Sequence, residues 1–335
     1  MRHPILTVGI TTYERPGALR RAIRSILEQE KIDAGTVELV VVDDASQSEP
    51  AVKYLESIKD LSSESISVRL LRHADGTGGP SVGRNEIIDA ATGDYVLFLD
   101  DDNSIFPGTL NLVVAHLSTT SADWVSLRRH RNGKSFFRAP ESINENLTRA
   151  GALWTLLIAG AFRRTALLES GIRFDPAISY GEDNEFVLQF VTHFTRFTAM
   201  SDRDYLLEGD PLSGELPHIS HLRPGAEFVQ ILVAHVGRLF GIIADANLSD
   251  SEADTLAAII LNRATGSYNL HRKIAGLADD GVVRQFLLQW SAAISRVLTT
   301  ERAVELASKR DLDRVMRAVF SADVQELRES VRSLA

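Results

Sequence analysis

Three consecutive carboxylates near residue 100 are the strongest chemical signal in this sequence. The apolar run Tyr95–Leu99 leads directly into Asp100, Asp101 and Asp102. Adjacent carboxylates repel one another, so a fold tolerates them best where water, helix termini or a divalent cation absorbs the charge. Their hard oxygen ligands suit Mg²⁺ or Mn²⁺, and such an ion can bridge the oxygens of a diphosphate. The triplet therefore indicates either a metal site or a polar turn whose aspartates cap the helix after Pro107.

A second acidic group, Glu182 and Asp183, lies further along the chain, with Glu185 close behind it. These residues begin a predicted helix, where the helix dipole favours negative charge. A positioned carboxylate can also accept a proton from a hydroxyl during its attack on an electrophile. The two interpretations are compatible, because a catalytic carboxylate at a helix start still benefits from the backbone donors there.

Alternating strands and helices place these acidic residues at strand ends. Apolar and β-branched runs predict four strands, and helical spacing of apolar residues predicts helices between them. The predicted strands are residues 5–10, 38–42, 67–72 and 95–99, and the helices begin near Pro16, Pro50 and Val82. This alternation predicts an α/β fold with a mostly parallel sheet covered by helices on both faces. Ligands of such sheets gather at the carboxyl ends of the strands.

The pattern changes twice along the chain. Between residues 124 and 221 we predict strands at Trp124–Leu127 and Phe197–Met200 and a helix that starts close to Asp183. Beyond Pro224 strand signals vanish and apolar residues follow a helical period. We therefore predict one domain over residues 1–222, with halves 1–103 and 104–222, and an all-helical C-terminal region over 223–335. That region suits a packed cap or a homo-oligomer interface.

Composition narrows the class of protein and of ligand. The chain has 335 residues, a formal net charge of −9 and no cysteine. Without cysteine there are no disulfides, thiolate-ligated zinc sites or cysteine nucleophiles, and a cytoplasmic location is expected. The negative charge disfavours nucleic acid as a partner. We expect no signal peptide and no transmembrane segment, while peripheral membrane contact stays open.

Five ordered segments carry a family resemblance. They read VGITTYERP, LVVVDDAS, GGPSVGRN, FLDDDN and YGEDNEF, and they span residues 8–16, 39–46, 78–85, 98–103 and 180–186. In this order they resemble the family 2 glycosyltransferases of the GT-A fold over roughly the first two-thirds of the chain. The resemblance implies a Rossmann-like, mixed and mostly parallel sheet flanked by helices, followed here by the helical region.

The resemblance assigns the first two segments to the nucleotide. Thr11, Tyr13 and Glu14 would line the nucleotide pocket, and Tyr13 would stack or pack on the base. Asp43 or Asp44 would accept the imide N–H of a pyrimidine, as a carboxylate at a strand end is able to do. The choice between these two aspartates stays open at this point.

The third segment would approach the phosphates. Glycines such as Gly79 permit close approach of the backbone to a ligand. Arg84 would contact a phosphate through its planar guanidinium, or it would form a structural salt bridge on the helix face. Both alternatives stay open from the sequence.

The remaining segments would hold the ion and activate the acceptor. Asp102 would be the direct metal ligand, with Asp100 on the ribose or on the metal through water, and Asp101 less directly involved. Family members often add a later histidine, so His218 and His221 are candidate ligands or structural residues. Magnesium and manganese sites of this kind take one or two protein carboxylates, and substrate phosphates complete the shell.

Asp183 would act as the general base and Glu182 would orient the site. The implied activity is an inverting, metal-assisted transfer from a nucleotide sugar, most simply a UDP-sugar, to a hydroxyl-bearing acceptor. One rival is a catalytically silent scaffold that binds sugar nucleotides. Another is a nucleotidyltransferase, although no glycine-rich, arginine-containing loop directly follows the first strand to hold a triphosphate.

Overall fold

The computed structural model describes residues 3–136, 142–153, 156–217, 225–308 and 312–334. The chain divides into two compact units. The first comprises residues 1–187 and 194–218, and the second comprises residues 188–193 and 219–335. The predicted functional boundaries at residues 103 and 222 stay predictions.

Strands of the described residues form two sheets in the first unit. The larger sheet holds eight strands, which are β1 (Leu6–Thr12), β2 (Val37–Asp43), β3 (Ile66–Arg72), β4 (Tyr95–Phe98), β6 (Trp124–Leu127), β9 (Ile143–Leu147), β10 (Gly160–Arg163) and β11 (Phe197–Met200). Their order across the sheet is β3-β2-β1-β4-β10-β6-β11-β9. The smaller sheet, ordered β5-β12-β7-β8, comprises β5 (Ser104–Ile105), β7 (Arg129–Arg131), β8 (Lys134–Phe136) and β12 (Leu206–Leu207).

The first four strands of the large sheet are parallel, and their connections contain the predicted helices. These are α1 (Pro16–Leu27), α2 (Glu49–Ile58) and α3 (Pro80–Ala90), with a 3₁₀ turn at Lys59–Leu61. All three helices have proline in their first turn, where its missing N–H leaves no helical bond unmade. Helix α1 buries one apolar stripe, and strands β1, β2 and β4 are almost entirely buried. The predicted α/β fold with helices flanking the sheet is confirmed.

The sheet becomes mixed beyond β4. Strand β10 runs antiparallel to both β4 and β6, which the sequence pattern did not predict. Its first residue, Gly160, lies so close to the neighbouring strand that a Cβ there would be 2.4 Å from the carbonyl oxygen of Val125. The predicted strands Trp124–Leu127 and Phe197–Met200 are confirmed as β6 and β11, which pair in parallel.

Helices complete the first unit and account for the second. The remaining helices that begin before residue 200 are α4 (Leu110–Leu117), α5 (Arg149–Ala152), α6 (Arg164–Ser170) and α7 (Glu182–His193). The second unit contains α8 (Ala226–Asp245), α9 (Asp250–Thr265), α10 (Leu270–Ala275), α11 (Asp280–Ile294), α12 (Thr300–Ser308), α13 (Asp313–Ser321) and α14 (Val324–Ser333). The helical C-terminal region predicted from residue spacing is confirmed.

One helix needs a correction to the expectation about membranes. Helix α8 is long and apolar enough to cross a bilayer, judged by length and composition only. Half of the apolar stretch of this helix is buried inside the structure, as in the core helix of a helical bundle. The sequence pattern predicted no apolar run long enough to span a bilayer, so this helix is an addition to that expectation.

Candidate active site

The carboxyl ends of β1, β2 and β4 meet at one edge of the large sheet. Parallel pairing sets Thr12 of β1 opposite Asp43 of β2. Strand β4 pairs with the other side of β1, and Asp100 follows it after a single residue. Because the three strands run in the same direction, the polar residues after them collect at the same place.

The acidic triplet divides into one exposed and two buried carboxylates. The side chain of Asp100 is 46 % exposed, whereas those of Asp101 and Asp102 are 6 % and 4 % exposed. Asp101 accepts a hydrogen bond from Thr12 Oγ1 at 2.9 Å and one from Arg15 Nη1 at 3.1 Å. Burial raises the pKa of Asp101 to about 7; Arg15 opposes the shift, and the neighbouring Asp102 adds to it.

The triplet does not cap the following helix. Helix α4 begins at Leu110 with Thr109 at its N-cap, and no side-chain hydrogen bond caps it. The capping interpretation of the aspartates is therefore wrong. The aspartates instead contact Arg15, Arg84 and the Thr12 hydroxyl at the end of β1. Such contacts are typical of a binding site and not of a helix N-cap.

Arg15 is a site residue that the sequence reasoning missed. Its Nη1 lies 3.3 Å from Asp102 Oδ2 as well as 3.1 Å from Asp101 Oδ1, and its Nη2 donates to the carbonyl oxygen of Pro217 at 2.8 Å. The sequence signal that could have identified it is its position next to Glu14, in the first of the five segments that resemble the family. His218 follows Pro217 directly, but His218 and His221 lie outside the described residues, so their roles as metal ligands stay predictions.

The segment Glu208–Pro217 is held against the acidic triplet by backbone contacts. Arg21 Nη2 donates to the carbonyl oxygens of Asp102 and Asp210, each at 2.8 Å. The backbone N–H of Gly209 donates to Asn103 Oδ1 at 3.1 Å, and a Cβ on Gly209 would lie 2.2 Å from the carbonyl oxygen of Asp102. Only glycine fits at this position without a shift of the backbone.

The same segment also caps α1. Glu215 Oε1 accepts the backbone N–H of Gly17 at 2.7 Å and that of Ala18 at 3.2 Å. A carboxylate at a helix N-terminus satisfies donors that have no partner within the helix. The segment that leads towards the predicted histidines is therefore attached at both α1 and the acidic triplet.

Arg84 joins the acidic triplet to the second acidic group. Its Nη2 donates to Asp100 Oδ1 and its Nη1 to Glu182 Oε1, each at 2.8 Å, and the guanidinium lies over the ring of Phe174 at 5.2 Å. Burial acts to lower the pKa of Arg84, but the negative charges of Asp100, Glu182 and Asp183 outweigh it and raise that pKa. Arg84 therefore forms salt bridges in this structure, and its contact to a phosphate stays a prediction.

Asp183 lies in the first turn of α7, next to Glu182. Its Oδ1 accepts a hydrogen bond from Asn184 Nδ2 at 3.0 Å, and the same amide donates to the carbonyl oxygen of Leu156 at 2.7 Å. Gly181 precedes the helix with a φ of 80°, a left-handed conformation that favours glycine. The start of α7 is therefore fixed by neighbours on both sides of Asp183.

Asp43 and Asp44 lie at the end of β2 in different environments. Asp43 is fully buried, and its Oδ2 accepts from Ser46 N at 3.1 Å and from Arg72 Nε at 3.0 Å. Its Oδ1 is buried and receives no hydrogen bond within the described residues. A buried acceptor without a donor is costly unless a ligand supplies one.

Asp44, in contrast, is occupied by its own neighbours. Its Oδ1 accepts from the ring Nδ1 of His73 at 2.9 Å and from the backbone N–H of Thr77 at 2.8 Å. Burial acts to raise the pKa of Asp44, but these hydrogen bonds outweigh it and hold the pKa below its usual value. The two adjacent aspartates thus have different environments, which the sequence alone did not reveal.

The other predicted nucleotide residues lie near these strand ends. The side chain of Tyr13 is exposed, and Thr11 is half-buried at the end of β1. Glu14 accepts hydrogen bonds from the backbone N–H groups of Gln47 and Ser48, just before α2. Its carboxylate therefore has a structural contact, and its predicted role in the nucleotide pocket stays a prediction. Gly79 is followed by α3 and has open space where a side chain would be.

The family follows from comparison with known sequences. Residues 7–177, just over half of the chain, match the model described as glycosyl transferase family 2. The chain belongs to glycosyl transferase family 2. The glycine-rich segment and the acidic triplet both lie inside the matched range, whereas Glu182 and Asp183 lie just beyond it.

Curated relatives in this family match parts of longer proteins. The poly(ribitol-phosphate) β-N-acetylglucosaminyltransferase TarS of Staphylococcus aureus is 25 % identical over 265 residues, which are 77 % of this chain and 44 % of TarS. The succinoglycan biosynthesis protein ExoO of Rhizobium meliloti is 30 % identical over 198 residues, 54 % of this chain and 53 % of ExoO. The chain thus spans about half the length of these relatives or less.

Solved structures share the fold. The crystal structure of S. aureus TarS 1–349 in complex with UDP-GlcNAc superposes with a TM-score of 0.80 at 21 % identity and covers 98 % of this chain and 92 % of that one. A mannosyltransferase from Pyrobaculum calidifontis gives a TM-score of 0.54 at 18 % identity over 100 % and 88 % of the two chains. At these identities the likeness shows the fold, which is the predicted GT-A arrangement.

The Arg84 contacts predict a large effect on stability. Arg84→Met removes the positive charge between Asp100 and Glu182 and leaves their carboxylates facing one another. Removal of one partner from a buried pair costs about 3 kcal/mol or more. We expect the free energy of unfolding in urea to fall by that amount.

The matched control is Arg24→Met. Arg24 pairs with Glu28 on the exposed face of α1, with side chains 67 % and 62 % exposed. An exposed pair of this kind contributes about 0.5 kcal/mol or less. Equal losses in the two variants would show that Arg84 is not the counter-ion of the site.

Proposed function

We propose that this chain transfers a sugar from a nucleoside diphosphate sugar, a UDP-sugar in the simplest case, to a hydroxyl group of an acceptor. The observation that carries the proposal is the Arg84 guanidinium, which contacts Asp100 16 residues away in the sequence and Glu182 98 residues away. It joins the strand end suited to a nucleoside diphosphate to the helix start that bears Asp183. The solved relatives support the donor class, since TarS was crystallised with UDP and with UDP-GlcNAc.

A divalent cation fits the donor side of this site. Within the described residues, no group of three or more histidine and carboxylate side chains is arranged to hold a metal. Mg²⁺ and Mn²⁺ need only one or two protein carboxylates when substrate phosphates supply further ligands. Asp102 and the partly exposed Asp100 are hard oxygen donors of that type. When bound, such an ion neutralises the charge of a diphosphate leaving group.

Electrostatics also favour a cation here. A diphosphate that approaches the partly exposed carboxylate of Asp100 meets like charge, and Arg15 and Arg84 are already paired with carboxylates. Like charges at short range raise the free energy of binding in a partly buried site. A second neighbour agrees with this assignment, because the P. calidifontis mannosyltransferase was solved with GDP-mannose and Mn²⁺.

Asp43 is the proposed reader of the nucleobase. Its Oδ1 is a buried acceptor without a donor in the described residues, at the strand edge where ligands of this fold bind. A uracil base has an imide N–H that donates to a carboxylate. Arg72 fixes the carboxylate through the other oxygen, so Oδ1 is held in one orientation. Asp44 is left with a structural task.

Asp183 is the proposed general base. It accepts the proton of the acceptor hydroxyl while the hydroxyl oxygen forms a bond to the anomeric carbon of the donor sugar. The bond from that carbon to the phosphate oxygen breaks, and its electron pair leaves with the diphosphate. Attack opposite the leaving group inverts the anomeric centre. Arg84 contributes by fixing Glu182, and with it the first turn of α7, next to Asp100.

The acceptor and the location complete the proposal. The name of TarS gives poly(ribitol-phosphate) as its acceptor, and the name of ExoO places that protein in succinoglycan biosynthesis. We infer a polysaccharide or cell-wall polymer as the acceptor class and a cytoplasmic site of action, consistent with the cysteine-free sequence. Peripheral membrane contact and a homo-oligomer through the C-terminal helices stay predictions.

Asp183→Asn tests the activity itself. Loss of the proton acceptor is expected to lower donor turnover by about 10²- to 10⁴-fold, because a neutral amide does not take up the proton. Release of UDP from UDP-GlcNAc measures turnover, and calorimetry measures UDP binding, which the variant should retain.

Asp89→Asn serves as the control for Asp183→Asn. Asp89 is an exposed aspartate paired with Arg173 at 3.1 Å, away from the strand ends. A variant at Asp183 that turns over UDP-GlcNAc as fast as the Asp89 control would refute the assignment of the base. Wild-type protein that binds UDP without ever releasing it from a donor would support a silent binding scaffold.

Asp43→Asn and Asp44→Asn separate the two candidate base readers. Asparagine at position 43 donates an N–H where uracil also donates, so we expect UDP affinity to fall by about tenfold or more. CDP has a ring nitrogen acceptor in place of the imide N–H, so the preference for UDP over CDP should shrink. Calorimetry with both nucleotides gives the ratio.

The ratio of UDP to CDP affinity also protects the test from a loss of folding. A general distortion weakens both nucleotides alike and leaves the ratio unchanged. Asp44→Asn should change affinity for both nucleotides in parallel. If Asp44→Asn alone shifted the preference, the assignment of the base to Asp43 would be wrong.

Asp102→Asn tests the cation. We expect Mn²⁺ to strengthen UDP binding by wild-type protein and to have at least tenfold less effect on the variant, because a carboxylate ligand has become a neutral amide. Calorimetry with and without Mn²⁺ measures both. Asp210→Asn, a nearby and mostly exposed aspartate, is the control for local charge. Equal UDP affinity with and without Mn²⁺ in wild-type protein would contradict a metal-assisted site.

A further inference from the structure

His73 is held between two carboxylates that belong to different elements. Its Nδ1 lies 2.9 Å from Asp44 Oδ1 at the end of β2, and its Nε2 lies 2.9 Å from Glu86 Oε2 on α3. The second contact is an ion pair by distance, with a direction that departs from hydrogen-bond geometry. The side chain of His73 is only 12 % exposed. The imidazole thus connects the strand edge of the nucleotide site to the next helix.

The chain that follows His73 has few other anchors. Residues 74–79 connect β3 to α3 and contain three glycines. Gly78 has a φ of 83°, and a Cβ at Gly78 or Gly79 would meet nothing within 4 Å. Helix α3 has no side-chain hydrogen bond at its N-cap. Glycine-rich backbone of this kind loses much conformational entropy when it is fixed, so its position depends on the contacts at its ends.

One carboxylate provides the contact that fixes this segment to the sheet. Asp44 Oδ1 accepts the backbone N–H of Thr77 at 2.8 Å and the Nδ1 of His73 at 2.9 Å. The backbone N–H of His73 also donates to the carbonyl oxygen of Asp43 at 3.0 Å. The orientation of the Asp44 carboxylate therefore determines where Thr77 and its glycines lie. His73 holds that orientation.

We propose that His73 is a positioning residue which, as an imidazolium, fixes the glycine-rich segment 74–79 on Asp44 and Glu86 and thereby sets the affinity of the site for the nucleoside diphosphate. The inference rests on the proposed function for its consequence in binding. The effect of His73 on the position of segment 74–79 is independent of the proposed function. An imidazolium has an N–H on each side of the ring and attracts both carboxylates, whereas a neutral imidazole has one N–H and leaves a lone pair facing a carboxylate.

The charges around the ring favour the protonated form. Burial acts to lower the pKa of His73, but Asp44 and Glu86 outweigh it and raise the pKa above 6.5. Asp44 faces the ring from β2 and Glu86 from α3, while Arg72, the preceding residue on β3, turns to Asp43. The stabilisation by the imidazolium is complete below pH 6.5 and is lost as the pH rises through the raised pKa. The segment should loosen in mildly alkaline solution.

Hydrogen exchange reads the position of the segment directly. We would measure protection factors of the peptide that contains Thr77, relative to intrinsic exchange rates, from pH 6 to pH 9. Wild-type protection should fall by about tenfold over this range, because the contacts to the two carboxylates lose their charge assistance. In His73→Gln, which keeps a polar side chain but never carries charge, protection should be low and independent of pH. Glu86→Gln should lie between the two.

His3→Gln is the matched control. His3 also contacts an aspartate, Asp94, at 3.1 Å, but both side chains are exposed and the pair lies away from the segment. This variant should keep the wild-type exchange profile. A His73→Gln protein with wild-type protection at Thr77 at every pH would overturn the proposal. So would the same loss of protection in His3→Gln.

Calorimetry with UDP then tests the consequence. UDP affinity should fall by about tenfold in His73→Gln at pH 6.5, and wild-type affinity should decline towards that of the variant as the pH rises. An unchanged affinity in a variant whose segment has loosened would refute the effect on binding. If wild-type protein bound no UDP at all, the proposed function would fail together with that effect. The exchange data would still decide whether His73 fixes the segment.

Discussion

Arg84 is the interaction on which the candidate site depends. Its buried guanidinium lies between Asp100 and Glu182, each 2.8 Å away, and Asp183 contributes to the field that it experiences. Carboxylates at such close quarters repel one another unless a cation lies among them. Because the partners belong to the end of β4 and the start of α7, the same contact that balances the charge also joins two parts of the fold. The Arg84 contacts thus both neutralise the carboxylates and fix the end of β4 relative to the start of α7.

The acidic triplet shows how one motif is divided among tasks. Asp101 is buried against Thr12 and Arg15, and Asp102 shares Arg15, whereas Asp100 stays partly exposed. Three adjacent carboxylates therefore differ in exposure, with two buried against Arg15 and one open to solvent. The segment Glu208–Pro217 adds a further layer, fixed to the triplet through Asn103 and Arg21. The triplet thus anchors neighbouring backbone as well as presenting a carboxylate to solvent.

The end of β2 shows a similar division between its two aspartates. Asp43 has a buried oxygen without a donor in the described residues, and Asp44 has its oxygen shared by His73 and Thr77. One aspartate is suited to a ligand and the other to the loop beside it. A site for a flexible substrate needs both kinds of residue, since a contact group is useful only when the surrounding backbone is held in place. Family membership is consistent with this arrangement.

The sequence by itself determined the alternation of strands and helices, the helical C-terminal region and the positions of the acidic segments. These follow from local spacing of apolar residues and from polar residues placed at strand ends. Only the tertiary structure decided that β10 enters the sheet antiparallel, that Arg15 and Arg84 are the counter-ions, and that Asp43 and Asp44 differ. The reason is distance along the chain: Arg15 contacts Asp102 across 87 residues and Pro217 across 202. No local pattern encodes such pairs, because they form only when the sheet brings its strand ends together.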